Sequence, residues 1–155
     1  MKIGLLDAWT RRVAMRRQRP FLEAAMAAAA LVSMADDEVR LSEQLALGEV
    51  IGRIRSLYAF ESHTAVDLHR EIAEKIANDP SEGRQRAFEM VERFEGNEDD
   101  RLSVLYVAAV IARADLDLSA SEEIALEQIC ERLSLSTDYA LERIWDVVRT
   151  EAARS

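Results

Sequence analysis

Glycine and proline are scarce in this chain, five and two among 155 residues. The scarcity excludes a loop-rich or all-β architecture, whose turns depend on those residues. A single cysteine, Cys130, excludes an internal disulfide. Its place on the apolar face of a predicted helix reads as a small buried thiol in a reducing compartment. No apolar run approaches the ~20 residues of a membrane-spanning helix. His63 and His69 have no cysteine or third histidine nearby in sequence, so a zinc site is not indicated. Glycine-rich phosphate loops, nucleophile elbows and His–carboxylate arrangements are missing as well, so the chain reads as a non-enzyme. Its length suits one domain with a sizeable core, or one domain plus an appendage.

What is present is alanine, leucine, glutamate and arginine, and a repeat. Ala29–Ile54 reads AALVSMADDEVRLSEQLALGEVIGRI, and Ala108–Leu133 reads AAVIARADLDLSASEEIALEQICERL, aligned without gaps at an offset of 79 residues. Identical pairs include Ala29/Ala108, Ala30/Ala109, Ala35/Ala114, Asp36/Asp115, Ser42/Ser121, Glu43/Glu122, Ala46/Ala125 and Arg53/Arg132. Each copy is a small-residue apolar helix, an acidic loop and a second apolar helix. The composition and the repeat together imply an all-α bundle of seven to eight helices with a pseudo-twofold axis. Met15 to Pro20 followed by Ala24–Ala35 mimics a signal peptide, but Leu105–Ala114 repeats that apolar texture deep in the chain, so both read as core helices.

Charge divides the chain unevenly. Residues 1–19 carry +5 and the remainder −14. An acidic body excludes nucleic acid, which requires clustered Lys and Arg on the binding face. Residues 1–19 read as a basic amphipathic arm, with Leu5, Trp9 and Val13 on one stripe and arginines opposite, suited to an anionic membrane surface or to docking on the domain. Residues 20–155 form the domain. Proline in a first helical turn is tolerated, so Pro20 predicts a fresh helix over Phe21–Ala35. Further helices are expected over Ser42 to about Leu57, from a Thr64–Asp67 capping box to Ala77, over Ser81–Glu95 with Gly96 as the left-handed terminator, from an Asn97 cap to Ala114, over Ser119–Leu133, and from Ser136 onward.

The acidic loops carry the chemistry. Asp36 and Glu38 follow one helix end, Asp115 and Asp117 the other, and Glu43 and Glu122 enter from the first turn of the next helix. Helix C-termini present bare carbonyls and partial negative charge, so carboxylates placed there call for a compensating cation. An all-oxygen set suits Ca²⁺ or another hard divalent ion. The rival explanation is a capping box formed by Ser119 and Glu122. It does not transfer to copy one, where Arg40 stands in place of Ser119 while Glu43 is kept. The loops are not EF-hands, because position six is Leu41 or Ala120 rather than glycine, and position twelve is Leu47 or Leu126 rather than glutamate.

The run Ala35-Asp36-Asp37-Glu38-Val39 with Glu43, and its counterpart Ala114-Asp115-Leu116-Asp117-Leu118 with Glu122, resembles the TerB family of tellurite-resistance proteins and the related domain of DjlA-type co-chaperones. The resemblance covers roughly Phe21 to the C-terminus. The departure is Asp37 and Leu116 where family members usually have glycine after the loop aspartate. The resemblance implies a TerB-like helical fold, a metal role for the acidic positions, and a non-enzymatic part in tellurite resistance or stress response. It further implies a cytoplasmic location at the inner membrane face, beside a membrane-associated tellurite-resistance complex. The co-chaperone relationship implies instead a protein-interaction module whose acidic loops are purely structural.

Overall fold

The computed structural model describes residues 5–35, 41–54, 62–114 and 118–154. Among these every regular element is helical: α1 (Leu5–Ser33), α2 (Leu41–Ile54), α3 (Ser62–Asn78), α4 (Pro80–Glu92), α5 (Glu98–Arg113), α6 (Ala120–Arg132) and α7 (Thr137–Arg154). None of them is long and apolar enough to cross a membrane.

The helix break expected at Pro20 is not there, because α1 runs through it. Proline removes one N–H and crowds the carbonyl four residues back, yet good helix formers on both sides carry the backbone across. The expected boundary between residues 19 and 20 therefore falls inside one helix. A change of environment does occur there, since Arg19 and Pro20 are exposed and Phe21 is buried. Leu5, Trp9 and Val13 have side chains outside the described set.

Other helix ends follow local chemistry, with two corrections. Asp79 caps α4 by accepting the Glu82 N–H at 3.3 Å, with Pro80 in the first helical position. Asn97 caps α5 by accepting the Asp100 N–H at 2.8 Å. Thr64 and Asp67 do not form a capping box, because α3 already begins at Ser62; Asp67 pairs instead with Arg70 at 3.4 Å. Gly96 is not a left-handed terminator either. Here α4 stops at Glu92 with Arg93 in ordinary helical conformation, and Phe94 turns inward onto Phe21, ring centroids 5.9 Å apart and nearly edge-to-face. The left-handed residue is Ser134, φ 56°, after α6. The Leu135 N–H there reaches the Cys130 carbonyl and the Ser134 N–H reaches that of Glu131, the paired bonds of a Schellman turn.

The core is built on α1. From Phe21 to Met34 every residue except Glu23 is buried, including an alanine run from Ala27 to Ala30. A helix that is apolar all round must be enclosed, and α1 is enclosed by α3, α4, α5 and α6, most extensively by α5. Ala108, Ala109 and Ala112 of α5 are buried too.

The repeat is visible in the packing. Helix α1 rests on α3 as α5 rests on α7; α2 crosses to α5 as α6 crosses to α1; α2 touches α3 as α6 touches α7. The same register extends past the stretch first recognised. Asp67 and Arg70 pair at 3.4 Å, and 79 residues on Asp146 and Arg149 pair at 3.5 Å. Among the described helices only α4 has no counterpart, filling space against α1, α3 and α6.

The join of α3 and α4 is close enough to require glycine. A Cβ on Gly83 would lie 2.6 Å from the Ile76 Cα and 2.7 Å from the Lys75 carbonyl oxygen. A Cβ on Gly48 or Gly52 of α2 meets nothing within 4 Å. Gly83→Ala is therefore expected to destabilise the fold by about 1–3 kcal/mol or more in denaturant titration, since backbone cannot swing aside. Gly48→Ala and Gly52→Ala should each stabilise it by up to about 1 kcal/mol.

Candidate metal centre

Both repeated units end their first helix with the same hydrogen bond. The Ala35 N–H donates to the Val32 carbonyl at 3.1 Å, and the Ala114 N–H to that of Ile111 at 3.2 Å. Asp36, Glu38, Asp115 and Asp117, four of the six expected ligands, lie in the loops that follow and are outside the described residues. The two that are described, Glu43 and Glu122, are both drawn into the interior, 3% and 1% exposed. In each the Oε2 atom is sealed from solvent.

Glu122 is part of a capping box. The Ser119 Oγ accepts the Glu122 N–H at 3.1 Å, and the Glu122 Oε1 accepts the Ser119 N–H at 3.3 Å. The capping box thus engages one of the two Glu122 oxygens. A cap alone does not require burial, as α4 demonstrates. There Glu82 stands at the same third position behind the Asp79 cap, yet it is exposed and pairs with Arg86 at 2.7 Å. Taking a carboxylate out of water costs several kcal/mol unless charge and hydrogen bonds compensate. The helix N-terminus supplies part of that. Glu43 is buried to the same degree, and in the sequence arginine, not serine, stands three residues before it.

The helix ends before the loops are not left without cations. The Arg84 Nη2 of α4 donates to the Met34 carbonyl at 3.0 Å, at the end of α1. At the end of α5 the Arg113 guanidinium stands 5.6 Å from the Trp145 ring centroid. Position 113 is the repeat equivalent of position 34, so copy one imports from α4 the guanidinium that copy two carries itself. Among the described residues no three of His, Cys, Asp and Glu are grouped closely enough to hold an ion.

The remaining candidates resolve simply. The exposed Glu98 and Asp99 sit at the α5 N-terminus behind its cap. His63 is exposed while His69 is buried. Cys130 is fully buried, and burial, reinforced by Glu127 and Glu131, pushes its thiol up to about 12. It is an inert core residue.

His69 is the group that sequence reasoning passed over. It is 6% exposed, with Nε2 3.5 Å from the buried Ser33 Oγ, and burial depresses its pKa from 6.5 to about 4. Extending the 79-residue register into α3 sets it opposite Val148, an apolar position in the other half.

Residues 22–143 match the family model described as tellurite resistance protein TerB. The chain belongs to the TerB family. No curated protein and no solved structure matches it. The matched range starts beside Phe21, where α1 enters the TerB core, takes in both acidic loops and ends within α7. It leaves out the basic segment 1–19.

The folded TerB domain holds His69 neutral, whereas the unfolded chain protonates it below about pH 6.5. Stability is therefore lost as pH falls from about 6.5 toward 4, by about 3 kcal/mol from this residue alone. His69→Val, which installs the residue of the other half, should remove that component. Denaturant titrations at several pH values in this range check it through the difference between wild type and variant, since contributions of other groups cancel.

Proposed function

We propose that this TerB domain is a non-enzymatic cation-binding module that works in tellurite resistance or stress response through partner proteins. Asp36, Glu38 and Glu43 from one unit and Asp115, Asp117 and Glu122 from the other supply the oxygen ligands, and Ca²⁺ or another hard divalent ion is what such a set takes. The observation that carries the reading is the paired burial of Glu43 and Glu122 at equivalent positions, one with a capping serine and one without. The Ser119–Glu122 capping box engages one oxygen of Glu122 and leaves its Oε2 sealed in the interior, as the Oε2 of Glu43 is.

Partner binding has its own support. Leu45 and Ile124 occupy equivalent positions two residues beyond the buried acids, and both are large apolar side chains left exposed, 64% and 54%. Paired exposed anchors suit a protein surface that reads the two units together. The second reading, a co-chaperone-type interaction module with structural loops, rests on those side chains and on the realised Ser119–Glu122 capping box. The basic segment 1–19 suits a cytoplasmic protein held at the inner membrane face beside a membrane-associated complex.

Metal titration separates the two readings. Under the cation reading, Ca²⁺, Mg²⁺ or Mn²⁺ raises the melting temperature, corresponding to ~2.7 kcal/mol at a hundredfold excess over the dissociation constant. Asp36→Asn and Asp115→Asn leave metal-free stability unchanged or raised, because they relieve mutual repulsion, and abolish the metal-induced gain. Equal losses of about 0.5–2 kcal/mol with and without metal are what lost caps produce, and they would leave the interaction module standing.

Deletion of residues 1–19 tests the membrane part. The truncated chain is expected to unfold cooperatively and to lose the affinity of the full chain for anionic vesicles, an affinity that itself falls with added salt. Loss of the sharp thermal transition would make the segment part of the core.

A further inference from the structure

The two halves of the domain differ in how the third helix fills the space beside the first. In the C-terminal half Trp145 of α7 packs against the core beneath the Arg113 guanidinium. At the repeat-equivalent position α3 carries Val66, and where α6 has Glu127, α2 has Gly48. Bulk is thus missing from α3 of the N-terminal half, and Gly48 leaves α2 bare beside it. A cavity of about 420 Å³ lies there, bounded by Met34, Leu47, Gly48, Val66, His69 and Ala73. That size lies within the range of small-molecule sites, as does a mostly apolar lining with a few polar groups. The register between the halves is secured by the matching ion pairs Asp67–Arg70 and Asp146–Arg149 on the same two helices.

We propose that this cavity between the end of α1, α2 and α3 is a binding site for an uncharged aromatic small molecule carrying one hydrogen-bonding group, seated where the other half has its own indole. Three features set the chemistry. The occupant at the equivalent place is an aromatic ring, so the walls around Val66 are laid out for one. Met34 stands where the other half has Arg113; a thioether favours an aromatic ring and makes no demand for charge. His69 is the buried polar group of the lining, and with Nε2 against Ser33 its Nδ1 is the ring atom left to serve a ligand. An imidazole that stays neutral at physiological pH calls for a neutral partner. The rim offers Arg70 and Glu74, one charge of each sign, so it selects no net charge.

The test uses the full chain labelled with ¹⁵N and titrated with indole, phenol and toluene as probes. Saturable shifts of the Leu47, Val66, His69 and Ala73 amides are expected with indole and phenol. Val66→Trp, which gives the site the other half's own filler, should weaken binding at least tenfold. Gly48→Leu should do the same from the opposite wall, and it decides the matter if Val66→Trp does not fold, because a Cβ at Gly48 meets nothing within 4 Å. His69→Val should weaken phenol several-fold while leaving toluene unaffected, which separates the hydrogen bond from simple apolar uptake. Absence of saturable shifts in the wild type, undiminished binding in the filled variants, or equal loss of phenol and toluene in His69→Val would each overturn the proposal.

Discussion

Everything in this domain depends on two small-residue helices lying against each other. Helices α1 and α5 present alanines where most helix pairs present leucine or isoleucine, which lets the helix bodies themselves come close. Dispersion gains from such contact are small per atom pair and large in sum. Five other helices then follow, since a helix brought into the centre must be covered on its remaining sides. The third helices α3 and α7, the crossed second helices α2 and α6, and the unpaired α4 supply that cover. The acidic loops and the paired buried glutamates take their positions from this arrangement, as both second helices start where the central pair ends.

Much of this was legible in the sequence for a physical reason. Alanine-rich apolar segments, serine and asparagine caps and an ungapped repeat are local signals, and local signals survive without knowledge of tertiary contacts. Ser119 and Asn97 were read correctly because a cap is satisfied within one turn. The errors fell where partners distant in sequence decide. Gly96 looked like a helix terminator, but α4 is ended by Phe94 turning in to meet Phe21, a contact no local pattern announces. Pro20 looked like a start, but its neighbours carry the helix through it.

The site was legible to the same extent and no further. That Glu43 and Glu122 are matched could be read from the repeat; that both are buried could not, because a third-position glutamate such as Glu82 obeys the same local rule while remaining in water. His69 was dismissed as half of an unconvincing zinc pair. Its setting became clear only when the repeat register was carried into α3 and α7, where Asp67/Asp146 and Arg70/Arg149 were already matched in the sequence. The signal was available there, weakened by the dissimilar residues between.

The crossing of the second helices has a consequence for how the chain reaches this state. Helix α2 finds its main partner in α5 of the other half, while α6 divides its contacts among α1, α4 and α5. The most extensive contact, α1 on α5, joins the two halves, so each central helix is covered in part by the other half. That contact joins segments far apart in sequence, and pairings of that kind slow folding relative to helical proteins held by local contacts alone. It also means that a chain cut between α4 and α5 retains complementary fragments, each lacking what the other supplies.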